Sequence, residues 1–497
     1  MTSKRHVWLF SAATMFALNF FQRGLGLIAI TVLARLLDAT GLGAYAFAQS
    51  VAQAFSGWAR LGLDAGTHVT LANTPQTEKA QAEAVVGEAL SAMTVVSALT
   101  AIAITALSRL IAKRMFGAPE LVEFIYPAAA IFMGQMMSQA IYAVFAGLGE
   151  FSAYARATMI GSVSIVLLAG AGGLAHGAIG ASWGLALAQI VLLCTLVLSL
   201  RRVLAVRGLR IRPRIPGYAM LDILKVGFPF YAGVFLAVPA DFFALALLGR
   251  NAGVLALGQL RVSQAVMSVA TVLPVALSGP LITHLAAQNA AGNGKRTAAL
   301  QAKVIWALAI VIATVLSAIW PVSIEVIFGH AFTQAEIIGV LAIAAFIPTM
   351  LLTVLQGALL AEKRALLILA LGSVQAVATT LAAIWLIPHF HLAGYFGTQT
   401  LSYGVVALLT AVAYGRTIRC PTWAVPLVAL TVALWALLVA EAALALSLSC
   451  HLIIGLVALA TTMAVIVLFV FDVDERRRAV LTLTQMRAEF AASWGSP

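Results

Sequence analysis

Charge is what this sequence lacks most. Of its 497 residues only 10% are Asp, Glu, Lys or Arg, against roughly a quarter in a soluble protein, so a water-facing globular chain is excluded. Acids are scarcer than bases, 18 against 30, and the short external loops are read as holding no paired carboxylates for glycosidic or hydrolytic chemistry. Cysteine is nearly missing too: Cys194, Cys420 and Cys450 are odd in number and far apart. That spacing suggests neither a disulfide framework nor a metal site, and the three read as packing residues. The short alternating segments of a transmembrane barrel are absent. So is any long stretch between apolar runs, which argues against a membrane enzyme with a sizeable external catalytic loop.

What is present is apolar sequence in helix-length runs. Hydrophobic residues make up 62% of the chain and the mean hydropathy is +1.02. A bilayer core needs about 20 apolar residues per helix, and only helices or closed barrels satisfy the backbone there. The expected class is an all-α polytopic membrane protein. The first run follows Lys4 and Arg5 like the core of a secretory signal, but it continues past Asn19, Gln22 and Arg23 to Leu37 and reads as an uncleaved first helix. Further spans fall at about 44–66, 84–110, 122–147, 153–174 and 178–200. A second series falls at about 221–248, 254–283, 302–327, 335–360, 364–387, 393–414, 422–447 and 451–471, which makes fourteen.

Between the two series lies RRVLAVRGLRIRPRIPG, residues 201–217, with six arginines. Lys and Arg stay on the cytoplasmic side of a membrane. With the spans above, cytoplasmic segments hold 22 of the 30 bases and external segments five, so both termini are expected in the cytoplasm. Topology, rather than nucleic acid, therefore accounts for the net charge of +12. The remaining three bases, Arg23, Arg60 and Arg261, fall inside spans.

The chain also repeats itself. Gly43–Gln49 matches Gly253–Gln259 at an offset of 210, Phe116-Gly117 matches Phe328-Gly329 at 212, and Gly147 matches Gly357 at 210. His176–Gly180 is similar to His391–Gly394. Six helices separate the copies, so the halves run the same way across the membrane. The expected layout is a six-helix bundle over 1–200, a basic linker over 201–217, and a second bundle over 218–415. Two further helices over 416–471 and a cytoplasmic tail over 472–497 follow, the tail carrying Arg476–Arg478 and an amphipathic pattern. Two parallel six-helix repeats are expected to enclose a central cavity.

Polar stripes at helical spacing mark the faces that would line it. The first span carries Asn19, Gln22, Arg23 and Gly26. The second carries Gln49, Gln53, Ser56, Arg60 and Asp64, and the eighth Arg261, Gln264, Ser268 and Thr271. The fourth and tenth carry Gln135, Ser138, Gln139 and Tyr142, and Thr349, Thr353 and Gln356. The amides and hydroxyls are equally consistent with bonds between helices. Arg23 and Arg261 call for an anion or a wet cavity, whereas Arg60 has Asp64 one turn away as an alternative partner. Asp241, two residues after Pro239, is the only acid deep in the seventh span, and with Pro229 and Pro239 in that span the helix is expected to bend or break. It is either a site for a coupling cation or the partner of a neighbouring arginine. Glu441, outside the repeat, reads as an isolated interhelical contact.

Some patterns are set aside. The glycines before Lys295 lack phosphate-loop spacing, and Arg23-Gly-Leu-Gly26 has no preceding strand. His389 and His391 in a short external loop are not read as a metal site. Gly180 and Gly184 have the spacing of close helix packing.

The segment Ala34-Arg35-Leu36-Leu37-Asp38-Ala-Thr-Gly41-Leu-Gly43-Ala-Tyr45, followed by Leu61-Gly62-Leu63, resembles the first helical hairpin of Wzx-type polysaccharide flippases. Asp241 through Leu248-Gly249 to Gly253 and Ala256, and the Phe-Gly turns at 116 and 328, are similar to the same family. The resemblance places the chain in the multidrug, oligosaccharidyl-lipid and polysaccharide exporter superfamily. It implies two bundles around a V-shaped cavity with alternating access. The implied activity moves undecaprenyl-pyrophosphate-linked oligosaccharide across the bacterial inner membrane for exopolysaccharide, capsule or O-antigen assembly. No catalytic residue, metal or organic cofactor is expected, only coupling to H⁺ or Na⁺ flow or to the membrane potential. Membrane lipid, and a polymerase and chain-length regulator of the same pathway, are the expected partners. By helix, Arg23, Arg60 and Arg261 correspond to cavity cations of the superfamily's lipid flippases, with Asn19, Gln22, Gln49, Gln53 and Gln264 beside them and Asp241 as the ion-coupling candidate. An ion-coupled multidrug exporter of the same fold, or a polysaccharide polymerase or ligase, are the alternatives.

Overall fold

A computed structural model describes residues 2–75, 77–210, 214–215, 217–272, 294–362, 364–415, 424–444 and 448–470. The tail from residue 472 lies outside them, as does part of the eighth span. The chain is a multi-pass helical membrane protein. Among the described residues ten helices are long and apolar enough to cross a bilayer, and three of those are double, each folding back on itself at one or two non-helical residues.

The first half holds α1 (Thr2–Leu36), α2 (Ala39–Ala59), α3 (Lys79–Ala106) and α4 (Ile125–Leu148). A hairpin of α5 (151–175) and α6 (178–206) completes it, folding at His176 and Gly177. The second half holds the hairpin of α7 (218–252) and α8 (254–270), folding at Gly253, then α9 (Gly294–Phe328) and α10 (Ala342–Ala361). It ends with the hairpin of α11 (365–390) and α12 (392–415), folding at His391. Helices α13 (Ala424–Leu444) and α14 (Leu448–Val465) follow, and α14 packs on α9, where Gly455 touches Ala318.

Small residues let the hairpins close. Gly172 meets Gly180, and Gly184 meets the Leu168 carbonyl, so a Cβ at any of the three would collide with backbone. Further along the same seam, the Thr195 hydroxyl donates to the Ala157 carbonyl at 3.3 Å and Ser199 to Ala153 at 3.4 Å. The glycine spacing of α6 thus serves close packing, as expected. The repeat is visible at its turns: Gly117 and Gly329 both adopt positive φ, 69° and 89°. Cys194, expected in packing, is exposed on the outer face of α6.

Two features depart from expectation. The seventh helix does not break: α7 keeps helical backbone angles through Pro229 and Pro239, and its first non-helical residue is Gly253. Proline's fixed φ is compatible with a helix, and only the Lys225 and Phe235 carbonyls lose their donors. The break lies instead in the second span, where Leu61 (φ 48°) and Gly62 (φ 78°) separate α2 from a short continuation, Leu63–Asn73. There Gly62 and Gly227 of α7 meet backbone to backbone, and Gly66 meets the Ile223 carbonyl.

The halves therefore touch at two glycine crossings along one helix. At the far end of α2, Gly43 packs on Val254, and Gly258 packs on the Ala39 carbonyl. A third link is Arg35, whose guanidinium donates to the Val326 and Ile327 carbonyls at 2.8 and 3.2 Å, at the C-terminus of α9, where a cation complements the helix dipole. At the arginine-rich end, Glu88 of α3 is only 7% exposed. It accepts from the Gly217 and Met220 amides at 2.8 Å each, capping α7 from the other half of the chain.

Gly258→Ala is expected to destabilise the protein by about 1–3 kcal/mol through overpacking, read as a lower Tm in detergent. Gly404→Ala, where nothing lies within 4 Å of the new Cβ, should leave the Tm unchanged or raise it. Equal effects would show that the crossing is not tight.

Candidate functional site

The charged residues of the spans sort themselves by what each can reach. Arg23, half-buried on α1, reaches across to the second half. Its Nη1 donates to the Ser268 carbonyl at 2.9 Å and to the Thr271 hydroxyl at 2.5 Å, both in the last turn of α8 or just after it. The expected stripes on the first and eighth spans thus face each other. Both acceptors are neutral, so the guanidinium is hydrogen-bonded but its charge is not cancelled.

Arg261 lies on α8 two turns before Ser268. Its Nε is buried and has no hydrogen-bond partner. Tyr45 of α2 is within electrostatic reach, and one turn beyond it Gln49 has a buried Oε1 that also lacks a partner. Tyr45 and Arg261 thus lie close to the Gly43–Gly258 crossing, with Gln49 one turn further along α2. The unmade donor of Arg261 and the unmade acceptor of Gln49 are each expensive, and each marks a point where a bound group or water would be held. No ion pair to Arg23 or Arg261 is present among the described residues.

The other candidates are less concentrated. Asn19 and Gln22 are half-buried on α1, while Gln53 and Gln264 are exposed on α2 and α8. Arg60 takes the nearer option: its Nη1 lies 3.5 Å from Asp64 and its Nε donates to the Ser56 carbonyl at 3.2 Å. The pair sits beside Tyr231, whose buried hydroxyl has no partner.

Asp241 belongs to a separate cluster inside the second half. Gln399 of α12 donates to its Oδ1 at 3.5 Å. Tyr395 and Tyr403, one turn on either side of Gln399, are within electrostatic reach, and Tyr403 interacts with Gln375 of α11. Among the described residues Asp241 makes no ion pair, so the arginine partner allowed by the sequence is not found. Sequence reading missed Tyr395, Gln399, Tyr403 and Gln375, although the first three lie at four-residue spacing on one helix face. Tyr45 was missed because an aromatic in an apolar run reads as core. No group of three or more His, Cys, Asp or Glu that could hold a metal occurs among the described residues, and Glu441 is buried in α13.

Solved structures share this arrangement of two helical halves. A multidrug resistance MATE family transporter of the MOP superfamily, inward-facing, has a TM-score of 0.62 at 15% identity, covering 82% of this chain and 98% of that one. The lipid II flippase MurJ, inward closed, gives 0.65 at 12% identity over 91% and 98%. A MOP superfamily transporter from Pyrococcus furiosus, described as having a binding pocket of reversed polarity, gives 0.57 at 14% identity over 82% and 95%. No curated protein matches significantly. Residues 32–335 match the family described as polysaccharide biosynthesis protein, and the chain belongs to that family. Its fold is the one these MOP-superfamily structures share.

The two arginines should respond oppositely to removal of charge. Arg23→Met loses two bonds between the halves and should lower the Tm in detergent. Arg261→Met removes an unsatisfied buried donor and should leave the Tm unchanged or raise it. A large fall in Tm for Arg261→Met would mean that it holds the fold together instead.

Proposed function

We propose that the chain is a flippase that carries an undecaprenyl-pyrophosphate-linked oligosaccharide from the cytoplasmic to the external leaflet of the bacterial inner membrane. The product would feed assembly of exopolysaccharide, capsule or O-antigen, with both termini cytoplasmic and the route alternating access. One observation carries this reading: Arg23 and Arg261, on opposite halves, face the same seam with only neutral neighbours among the described residues. A sugar-pyrophosphate head group cannot cross hydrocarbon unaided. Guanidinium donates to phosphate oxygens in a fork and keeps its charge at any physiological pH.

The geometry suggests how binding and movement are linked. Phosphate oxygens are stronger acceptors for Arg23 than the Ser268 carbonyl and the Thr271 hydroxyl. Taking the guanidinium would release the tie between α1 and α8, and a ligand that binds one arrangement better shifts the population toward it. Arg261, Gln49 and Tyr45 would complete the anion site, and Asn19, Gln22, Gln53 and Gln264 would meet sugar hydroxyls. Arg60 must leave Asp64 before it can join them. Asp241, with Gln399, Tyr395 and Tyr403, is the proposed H⁺ or Na⁺ coupling site. The prenyl tail stays in lipid, and a polymerase and chain-length regulator act downstream. No chemical step on the substrate is assigned to this chain.

A multidrug exporter shares the fold, but cationic drugs call for acidic or apolar surroundings, which the two arginines oppose. Arg23→Ala and Arg261→Ala should each abolish polymer export in cells with normal protein levels, and Arg→Lys should restore part of it. Asp241→Asn should slow export and make it insensitive to ionophores. Export left intact by both alanine variants would overturn the binding role, and drug sensitivity of a deletion strain with normal polymer would favour the exporter.

A further inference from the structure

A ligand-sized cavity outside the seam opens at the arginine-rich end of the first half. Its volume is about 480 Å³, within the range of small-molecule sites. It forms where four pieces of chain converge: the end of the α2 continuation (Leu71, Thr74, Pro75), the start of α3 (Lys79, Ala82), the end of α4 (Gly147, Leu148), and the linker (Arg207, Leu209). The packing that shapes it is close, since Gly147 lies against Leu71 and the His68 carbonyl.

The polar groups of this cavity are predominantly cationic. Arg207 is held in place through Nη2, which donates to the Leu148 carbonyl at 2.8 Å and to Glu150 at 2.7 Å. That ion pair orients the guanidinium and leaves Nε and Nη1 without a bond among the described residues. Lys79 is exposed, makes no ion pair among the described residues, and comes within 3.0 Å of where a Cβ on Gly208 would lie. It occupies the first turn of the 28-residue α3, whose N-cap, Glu78, makes no side-chain capping bond. The amides there add to the positive potential. Of the acids nearby, Glu150 is engaged with Arg207 and Glu83 with the Arg210 amide at 2.8 Å, while Glu78, exposed at the N-cap, does not line the cavity. Arg201, Arg202 and Arg210, on either side of Arg207 in the sequence, are exposed and do not line the cavity.

We propose that this cavity binds a phosphate group, and that the phosphate belongs to the head group of an anionic membrane lipid. A basic cavity at the end of a helical bundle lies at head-group depth, and clustered Lys and Arg on the cytoplasmic side attract anionic lipid. The site is built partly from the linker that leads to α7, whose first turn Glu88 of α3 caps. A lipid there would brace the strap that joins the two halves. The inference stands apart from the seam, so its failure leaves the flippase reading untouched.

The test uses full-length purified protein in neutral detergent, with phosphatidylglycerol, phosphatidylcholine or inorganic phosphate as probes and Tm and native mass spectrometry as readouts. Phosphatidylglycerol should raise the Tm and remain bound where phosphatidylcholine does not. Lys79→Gln should weaken it about tenfold, as expected for one lost charge-assisted contact, and Lys79→Arg should restore it. Arg201→Gln, which removes the same charge outside the cavity, should change little. If inorganic phosphate protects as well as the lipid and Lys79→Gln abolishes both effects, the phosphate site stands but its source is soluble. Equal losses for Lys79→Gln and Arg201→Gln would leave only diffuse attraction and overturn the proposal, as would no preference for phosphatidylglycerol.

Discussion

A guanidinium carried into hydrocarbon must find acceptors, and in this protein the acceptors lie in the other half of the chain. Arg23 bonds to the end of α8, so its desolvation is relieved only while the halves are together. The acceptors are a carbonyl and a hydroxyl, which satisfy geometry without neutralising charge. Arg261 is less well provided, with its Nε buried and unbonded. The seam between the halves is thus electrically unfinished, and an anion is what would finish it.

Glycine makes such a seam possible. Backbone can meet backbone only where no Cβ intervenes, and α2 with its continuation does so at both ends, on α8 through Gly43 and on α7 through Gly62 and Gly66. Between these crossings sit Tyr45, Gln49 and Arg60, whose partner Asp64 lies at the second crossing. One broken helix therefore carries the contacts of both closures. The break at Leu61 and Gly62 gives that helix two segments, one for each crossing.

Much of this was legible in the sequence for plain physical reasons. Scarce charge and helix-length apolar runs fix the class, because hydrocarbon admits little else. The Phe-Gly and His-Gly matches mark turns that recur, and positive φ at Gly117 and Gly329 explains why glycine stands there. The facing stripes of Arg23 and of Ser268 and Thr271 could be drawn but not paired, since spacing gives a face and not its neighbour. The break in the second span was hidden, because Leu61-Gly62 looks like any apolar step in a helix until Gly227 is seen against it. Conversely, Pro229 and Pro239 looked like a break and are absorbed by α7. The clamp of Glu88 on α7 joins residues more than a hundred apart, and no local pattern announces it.

The most direct measurement is equilibrium binding of undecaprenyl pyrophosphate and of undecaprenol, which lacks phosphate, to wild-type protein and to the Arg23→Gln/Arg261→Gln double variant. If the paired guanidinium groups capture the pyrophosphate, wild-type protein binds the charged lipid about tenfold tighter or more and the double variant loses that preference. A preference retained in full by the double variant would contradict it.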